Sequence, residues 1–117
     1  MRLRLTSQEE SRLRQVGASR STRSPEAYDL YLRGNEYYSH ENRADGAIAV
    51  QLYEQAVGLD SGFALAWAKL AQGHAATYWQ GWDPAPKRLA LAQHAAERAL
   101  ALQPDLPEAH LAMGFYH

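Results

Sequence analysis

The sequence predicts an all-α protein of antiparallel helix-turn-helix repeats, and three observations predict it. The stretch Ala92 to Gly114, AQHAAERALALQPDLPEAHLAMG, reads as a helix, a Pro104-Asp105 break and a second helix. Ala92, Ala96 and Ala99 share one helical face before the break, and His110, Met113, Gly114 and His117 share one after it. About forty residues upstream the same order recurs: Ala49, Tyr53 and Ala56, a break at Asp60-Ser61-Gly62, then Trp67, Leu70, Ala71 and His74. A third signal opens the series: in Ser24-Pro25-Glu26 the hydroxyl accepts from an orphan N–H, Pro needs no donor in the first turn, and Glu suits the positive helix end. Self-similarity at this spacing is the mark of stacked helical units.

These residues resemble the tetratricopeptide-repeat family, whose pattern is a bulky residue, Leu-Gly and an aromatic on the first helix, then Ala, an aromatic, Ala and Pro on the second. In the better-matching unit Trp67, Leu70, Ala71 and His74 take the first-helix positions, and Ala92, Ala96, Ala99 and Pro104 the second. In the unit before it, Tyr28, Tyr31 and Leu32 match the first helix and Ala49, Tyr53, Ala56 and Ser61 the second. Ser61 stands where the family has its terminating Pro. The resemblance implies about two and a half units: a repeat over 25–63, a repeat over 64–106 and a half repeat over 107–117, stacked as a short right-handed superhelix. Pro25 to Ala64 is 39 residues and Ala64 to Pro107 is 43, against a family period of about 34. Enlarged inter-helix connections are therefore expected.

Residues 1–24 differ in composition from the rest, with six Arg against two Glu, while residues 25–117 carry six basic and eleven acidic side chains. Ser7 and Glu10 have capping-box spacing, and Leu13 and Val16 would share one side of a short helix ending near Gly17. Ala18 to Ser24 has the small, polar composition of a linker. Residues 1–24 thus read as a basic linker that includes that short helix. The Leu-Thr-x-x-Glu-Glu segment followed by Pro25-Glu26-Ala27-Tyr28 resembles the joint where bacterial signalling proteins hand over from a catalytic or DNA-binding module to repeats. That resemblance implies that the chain is part of a longer protein.

Along the repeats, Tyr28, Tyr31, Leu32 and Tyr38 give the first helix an apolar stripe reaching about His40. The second helix opens near Asn42, with Asp45 three residues on, and Ile48, Leu52, Tyr53, Ala56 and Leu59 are expected on its inner side. The third runs from about Phe63 to Trp79, its Ala66, Ala68, Ala75 and Ala76 permitting close approach of neighbours. Trp67 is expected in its core. The fourth follows Asp83-Pro84 with Leu89, Leu91, Ala92, Ala95, Ala96, Ala99, Leu100 and Leu102, and Asp105 with Glu108 starts the fifth. A repeat buries its apolar side only against its neighbours. Leu111, Met113, Phe115 and Tyr116 on an unpaired last helix therefore predict self-association, or a helix that folds back or frays.

Chemistry finds little to work with. There is no Cys, hence no disulfide framework and no thiolate nucleophile or ligand. His40, His74, His94, His110 and His117 never stand four apart, and none has a metalloprotease-type carboxylate. No phosphate-binding Gly loop and no nucleophile elbow occurs. The expectation is a non-enzyme without metal or cofactor. No apolar run reaches the roughly 20 residues of a membrane span. The Arg-rich start lacks a signal-peptide core, and no aromatics interleave its Arg residues for nucleic acid. A soluble cytoplasmic protein that engages neither membrane nor nucleic acid is expected.

Binding remains. In tetratricopeptide arrays the first helices line a concave groove that receives a peptide or a partner helix. The resemblance transfers that groove to Asp29, Arg33 and Glu36, then Leu65, Ala68, Lys69, Gln72 and Ala76, then Glu108, Leu111 and Phe115. Only Arg33 and Lys69 are basic among these, which speaks against the family's carboxylate-clamp subset. A mixed groove with an apolar floor suits an extended or helical peptide with one or two basic anchors, supplied by a partner protein or by another domain of the same chain. The alternative is a regulatory small-ligand sensor, in which the insertion around Trp79 and Trp82 closes over a small molecule. The plain structural reading of those rings is that they cover the gap left by small alanines between helices.

Overall fold

The computed structural model describes residues 21–114, and among them all regular structure is helical. Five helices follow one another: α1 Pro25–Tyr38, α2 Arg43–Leu59, α3 Ala64–Trp79, α4 Pro86–Leu102 and α5 Pro107–Met113. The short N-terminal helix expected at Ser7–Gly17 lies outside the described residues, as do Phe115, Tyr116 and His117.

The caps account for the first two helix starts. Ser24 Oγ accepts from Ala27 N at 3.1 Å, and Pro25 occupies the first turn with Glu26. Thr22 Oγ1 accepts from Ser24 N at 3.1 Å and donates in turn to the Asp60 carboxylate, tying the entry of α1 to the α2–α3 turn. Asn42 Oδ1 accepts from Asp45 N at 2.9 Å, while the Asp45 carboxylate takes Asn42 Nδ2 at 3.1 Å and lies 2.8 Å from His40 Nδ1. Asn42 thus caps the helix, and the Asp45 carboxylate holds the capping side chain in place. Glu41, at φ 55°, makes the left-handed step between α1 and α2. At the next corner Asp60 Oδ1 accepts from Gly62 N at 2.9 Å, the Asp-turn that replaces the missing Pro.

Helix α1 packs on α2, α2 on α3, and α3 on both α4 and α5. His74 meets Arg88 and, two turns back along α3, Trp67 meets His94 further along α4, so α3 and α4 run antiparallel. The connections are residues 39–42 between α1 and α2 and residues 80–85 between α3 and α4. Length beyond the expected period is carried in good part by α2 and α4, each of 17 residues, rather than by a long first connection.

Helix α3 is the centre of the core. Ala64, Leu65, Ala66, Ala68, Leu70, Ala71, Gln72, Gly73, His74 and Ala75 are all buried, which covers every face of the helix. A helix enclosed on all sides loses amphipathic periodicity and is built of small or apolar residues. Against it α4 sets Ala92, Ala95, Ala96 and Ala99, each at most 1% exposed. On the other side Phe63, 0% exposed, meets Tyr31 with ring centroids 5.1 Å apart, and Tyr31 meets Tyr53 at 6.3 Å. Tyr53 is fully buried, and its hydroxyl donates to Asn35 Oδ1 at 2.7 Å.

Several expected core positions shift. Trp67 is only partly buried: its ring stands edge-on to His94, and its Nε1 donates to Ser61 O at 2.8 Å, so it braces the turn while Phe63 fills the core. On α2 the inner face is centred on Ala49, Tyr53 and Ala56 with Val50 and Val57. Ile48 and Leu59, expected inside, sit at its margins at 37% and 55% exposure. On α1 the buried positions are Ala27, Tyr31 and Gly34. Leu32, expected in the stripe, is 37% exposed.

Gly34 is where α1 and α2 come closest: a Cβ there would lie 2.6 Å from Tyr53 Cε1 and 2.8 Å from Cδ1. Replacing helical Gly with Ala ordinarily stabilises by about 0.4–1 kcal/mol, but the Tyr53 ring has no room to retreat. Gly34→Ala is expected to lower stability by about 1–3 kcal/mol in urea unfolding. Gly58→Ala, at a site with nothing within 4 Å of the added carbon, is expected to raise it. Phe63→Ala is expected to cost about 3–5 kcal/mol and Trp67→Ala distinctly less, in the same assay.

Candidate functional site

The expected groove residues divide by helix. On α1, Asp29 and Arg33 form an exposed pair at 3.9 Å, with side chains 68% and 61% accessible, and such i,i+4 pairs contribute a few tenths of a kcal/mol. Glu36 is exposed beside Arg33 in an open depression that also borders Leu32, Tyr37 and His40. All three are exposed. On α3, Leu65, Ala68 and Gln72 are buried, and Lys69 and Ala76 are partly so. On α5, Glu108 is partly buried and Leu111 is 59% exposed. Phe115 lies outside the described residues.

Lys69, Gln72 and Glu108 are brought together, and the side chains α1 adds to them are Tyr31 and Tyr38. Lys69 Nζ sits 4.3 Å from the centroid of the Tyr38 ring, a cation–π distance, and 3.4 Å from Gln72 Oε1. Gln72 Nε2 donates to the Glu108 carbonyl at 3.3 Å. A polar line thus crosses from α1 over α3 to α5. Burial holds the Lys69 ammonium below its ordinary pKa, while the Glu108 carboxylate opposes that shift. Burial raises the phenols of Tyr31 and Tyr38, and the charge of Glu108 adds to the effect at Tyr31. The face is a set of tyrosine rings around one ammonium and one carboxylate.

The sequence signal for the α1 members was Gly34. Once Gly34 is taken as the point of closest approach to α2, Tyr31, Asn35 and Tyr38 fall four and three residues apart along one side of α1. Asp29, Arg33 and Glu36, the α1 positions that the tetratricopeptide resemblance implied, lie about half a turn round the helix from these.

The α3–α4 connection forms a second concavity. Trp82 N and Asp83 N both donate to Thr77 O, at 3.1 and 3.2 Å, and Gly81 takes a positive φ of 76°. This fold-back lays the Trp82 ring on α2, where a Cβ at Gly46 would lie 3.1 Å from Cζ3. Trp82 therefore covers an inter-helix gap. Trp79 does not: it is 60% exposed, its ring edge-on to Tyr78 at 5.0 Å. On one side of Trp82 lies a cleft of about 480 Å³ walled by α2 and the start of α4; on the other lies a smaller one of about 230 Å³ towards Tyr38. Arg88 borders the larger cleft, with Nε donating to Asp83 Oδ2 at 3.0 Å and Nη1 to Nδ1 of buried His74 at 3.0 Å. Burial, and then the Arg88 charge, hold the His74 pKa down to about 4. Asp83 is held below the usual carboxylate range by the Ala85 N–H and then by Arg88.

Among the described residues no group of three His, Asp or Glu side chains is arranged to hold a metal, and no helix is long and apolar enough to cross a membrane.

His74 gives the stability a defined pH response. Its folded pKa is about 4 against an ordinary 6.5, so between those values the unfolded chain takes up a proton that the folded chain refuses. Stability therefore falls as pH falls from about 6.5 to 4, by up to about 3 kcal/mol. The lowered carboxylates of Asp45 and Asp83 act in a separate window, losing their contribution at still lower pH. His74→Gln, which keeps an acceptor for Arg88, is expected to flatten the response between pH 6.5 and 4 in denaturant unfolding and leave the lower limb in place. No family model matches the chain, and no curated protein and no solved structure matches it.

Proposed function

We propose that the chain is a non-catalytic protein-interaction module built as a short tetratricopeptide-like array, two helical hairpins and the first helix of a third wound as a right-handed superhelix. Its binding surface is the side on which α1, α3 and α5 meet, and its occupant is a peptide or a neighbouring domain of a longer parent protein. The observation that carries this reading is the line from Tyr38 through Lys69 and Gln72 to Glu108. It presents polar anchors from three first helices on one face, with Tyr31 beneath them. Aromatic rings with a few fixed polar groups are what extended or helical peptides dock against. An acidic side chain suits Lys69 and a basic one suits Glu108. Asp29, Arg33 and Glu36 stand outside this surface and serve as internal controls.

The test is selection of peptides from a random displayed library on the 117-residue chain, followed by affinity measurement on variants. Lys69→Ala and Tyr38→Ala are expected to weaken the selected peptides by about tenfold or more, as loss of a charged or cation–π anchor does. Arg33→Ala is expected to leave affinity within about twofold. Peptides that ignore Lys69 and Tyr38, or that depend on Arg33, would remove the support for this face. Sedimentation equilibrium on the same samples guards the result, because exposed Leu111 offers a contact through which self-association would compete with peptide.

A further inference from the structure

We propose that the cleft between α2 and the start of α4 is a binding site for a small monocarboxylate with a flat apolar body, anchored by Arg88. It lies on a different surface from the face formed by α1, α3 and α5 and does not depend on that reading. The cleft holds about 480 Å³, within the range of pockets that enclose small organic molecules. Ala47 and Val50 of α2 line it together with Trp82 and Pro84. A flat apolar body there has an indole ring and aliphatic carbon to pack against.

Arg88 is held in place before any ligand arrives. Asp83 engages its Nε and His74 its Nη1, each at 3.0 Å. A guanidinium carries five N–H donors, so three remain, both on Nη2 among them, and no described residue takes them. His74, buried at 4% exposure and neutral near pH 7 because its pKa is about 4, accepts from Arg88 without neutralising it. The planar fork of Arg matches the two oxygens of a carboxylate. Charge selects among anions: Arg43 and Arg88 are opposed at the same cleft by Glu54 and Asp83. With no positive excess, the site suits a singly charged carboxylate and disfavours a dianionic phosphate.

The probes are 3-phenylpropionate, 2-phenylethylamine and phenyl phosphate, titrated into the full chain and followed by the Trp82 indole N–H resonance, assigned with Trp82→Phe. 3-Phenylpropionate is expected to shift that resonance saturably below about 10 mM, with an affinity several-fold above that of the other two probes. Arg88→Gln is expected to weaken it by about tenfold, as loss of a charged anchor does. Arg88→Lys, which keeps the charge and the Asp83 pairing but loses the fork, is expected to weaken it too. That variant decides the matter if circular dichroism shows Arg88→Gln to be unfolded. The proposal is overturned if 3-phenylpropionate leaves Trp82 unmoved, if the amine or the phosphate binds as well, or if a folded Arg88 variant binds unchanged.

Discussion

Everything in this fold depends on how closely other helices can approach α3. A helix wrapped by neighbours on every side cannot carry large side chains all round, because ridges of one helix must sit in grooves of the next at an axial separation near 8–10 Å. The sequence meets that limit with Ala64, Ala66, Ala68, Ala71, Gly73 and Ala75. At Gly73 a Cβ would come within 2.9 Å of Val50 Cγ2, so α2 presses directly on the α3 backbone. Helix α4 answers with its own alanines. Close packing of backbones replaces the bulk of large apolar side chains as the source of cohesion, and dispersion at such contacts is collectively substantial.

The same constraint makes the two binding surfaces. Where α3 has small residues, its polar side chains at Lys69 and Gln72 lie within reach of both α1 and α5: Lys69 meets the Tyr38 ring and Gln72 donates to the Glu108 carbonyl. Where α3 ends, the next helix cannot follow at once, and the fold-back through Gly81 sets Trp82 against α2. The cleft beside Trp82 is a product of that return path, and Arg88 borders it, held there by His74 and Asp83. Among the described residues no buried side-chain nitrogen or oxygen lacks a partner, so neither surface leaves an unsatisfied buried polar atom in the free protein.

Much of the fold was legible in the sequence, for local reasons. Ser24-Pro25, Asn42 with Asp45, and Asp60-Ser61-Gly62 are signals whose meaning is set within four residues, and all three mark helix ends as expected. The alternation of helix and break followed from them. What the sequence concealed were relations across helices. Trp67 looks like core by size, yet its indole N–H needs an acceptor and finds one at the surface turn, whereas the smaller apolar Phe63 has no polar atom to satisfy. The phase of α1 was set by Gly34 meeting Tyr53, a contact nineteen residues apart in sequence, and a count from Tyr28, Tyr31 and Leu32 alone misplaces it by about a quarter turn. The cleft beside Trp82 draws on α2, the connection and α4 together, and only the ring itself announced it.

The enclosed phenol of Tyr53 gives the molecule a chemical clock for its own opening. Burial drives its ionisation far above that of a free phenol, and its proton is already committed to Asn35. Phenolate at this position can form only when α1 has left α2, so in alkali its ultraviolet absorbance would rise with separation of that helix pair rather than with ordinary titration. That rise would report cooperative loss of this helix pair in an optical trace, with no label added.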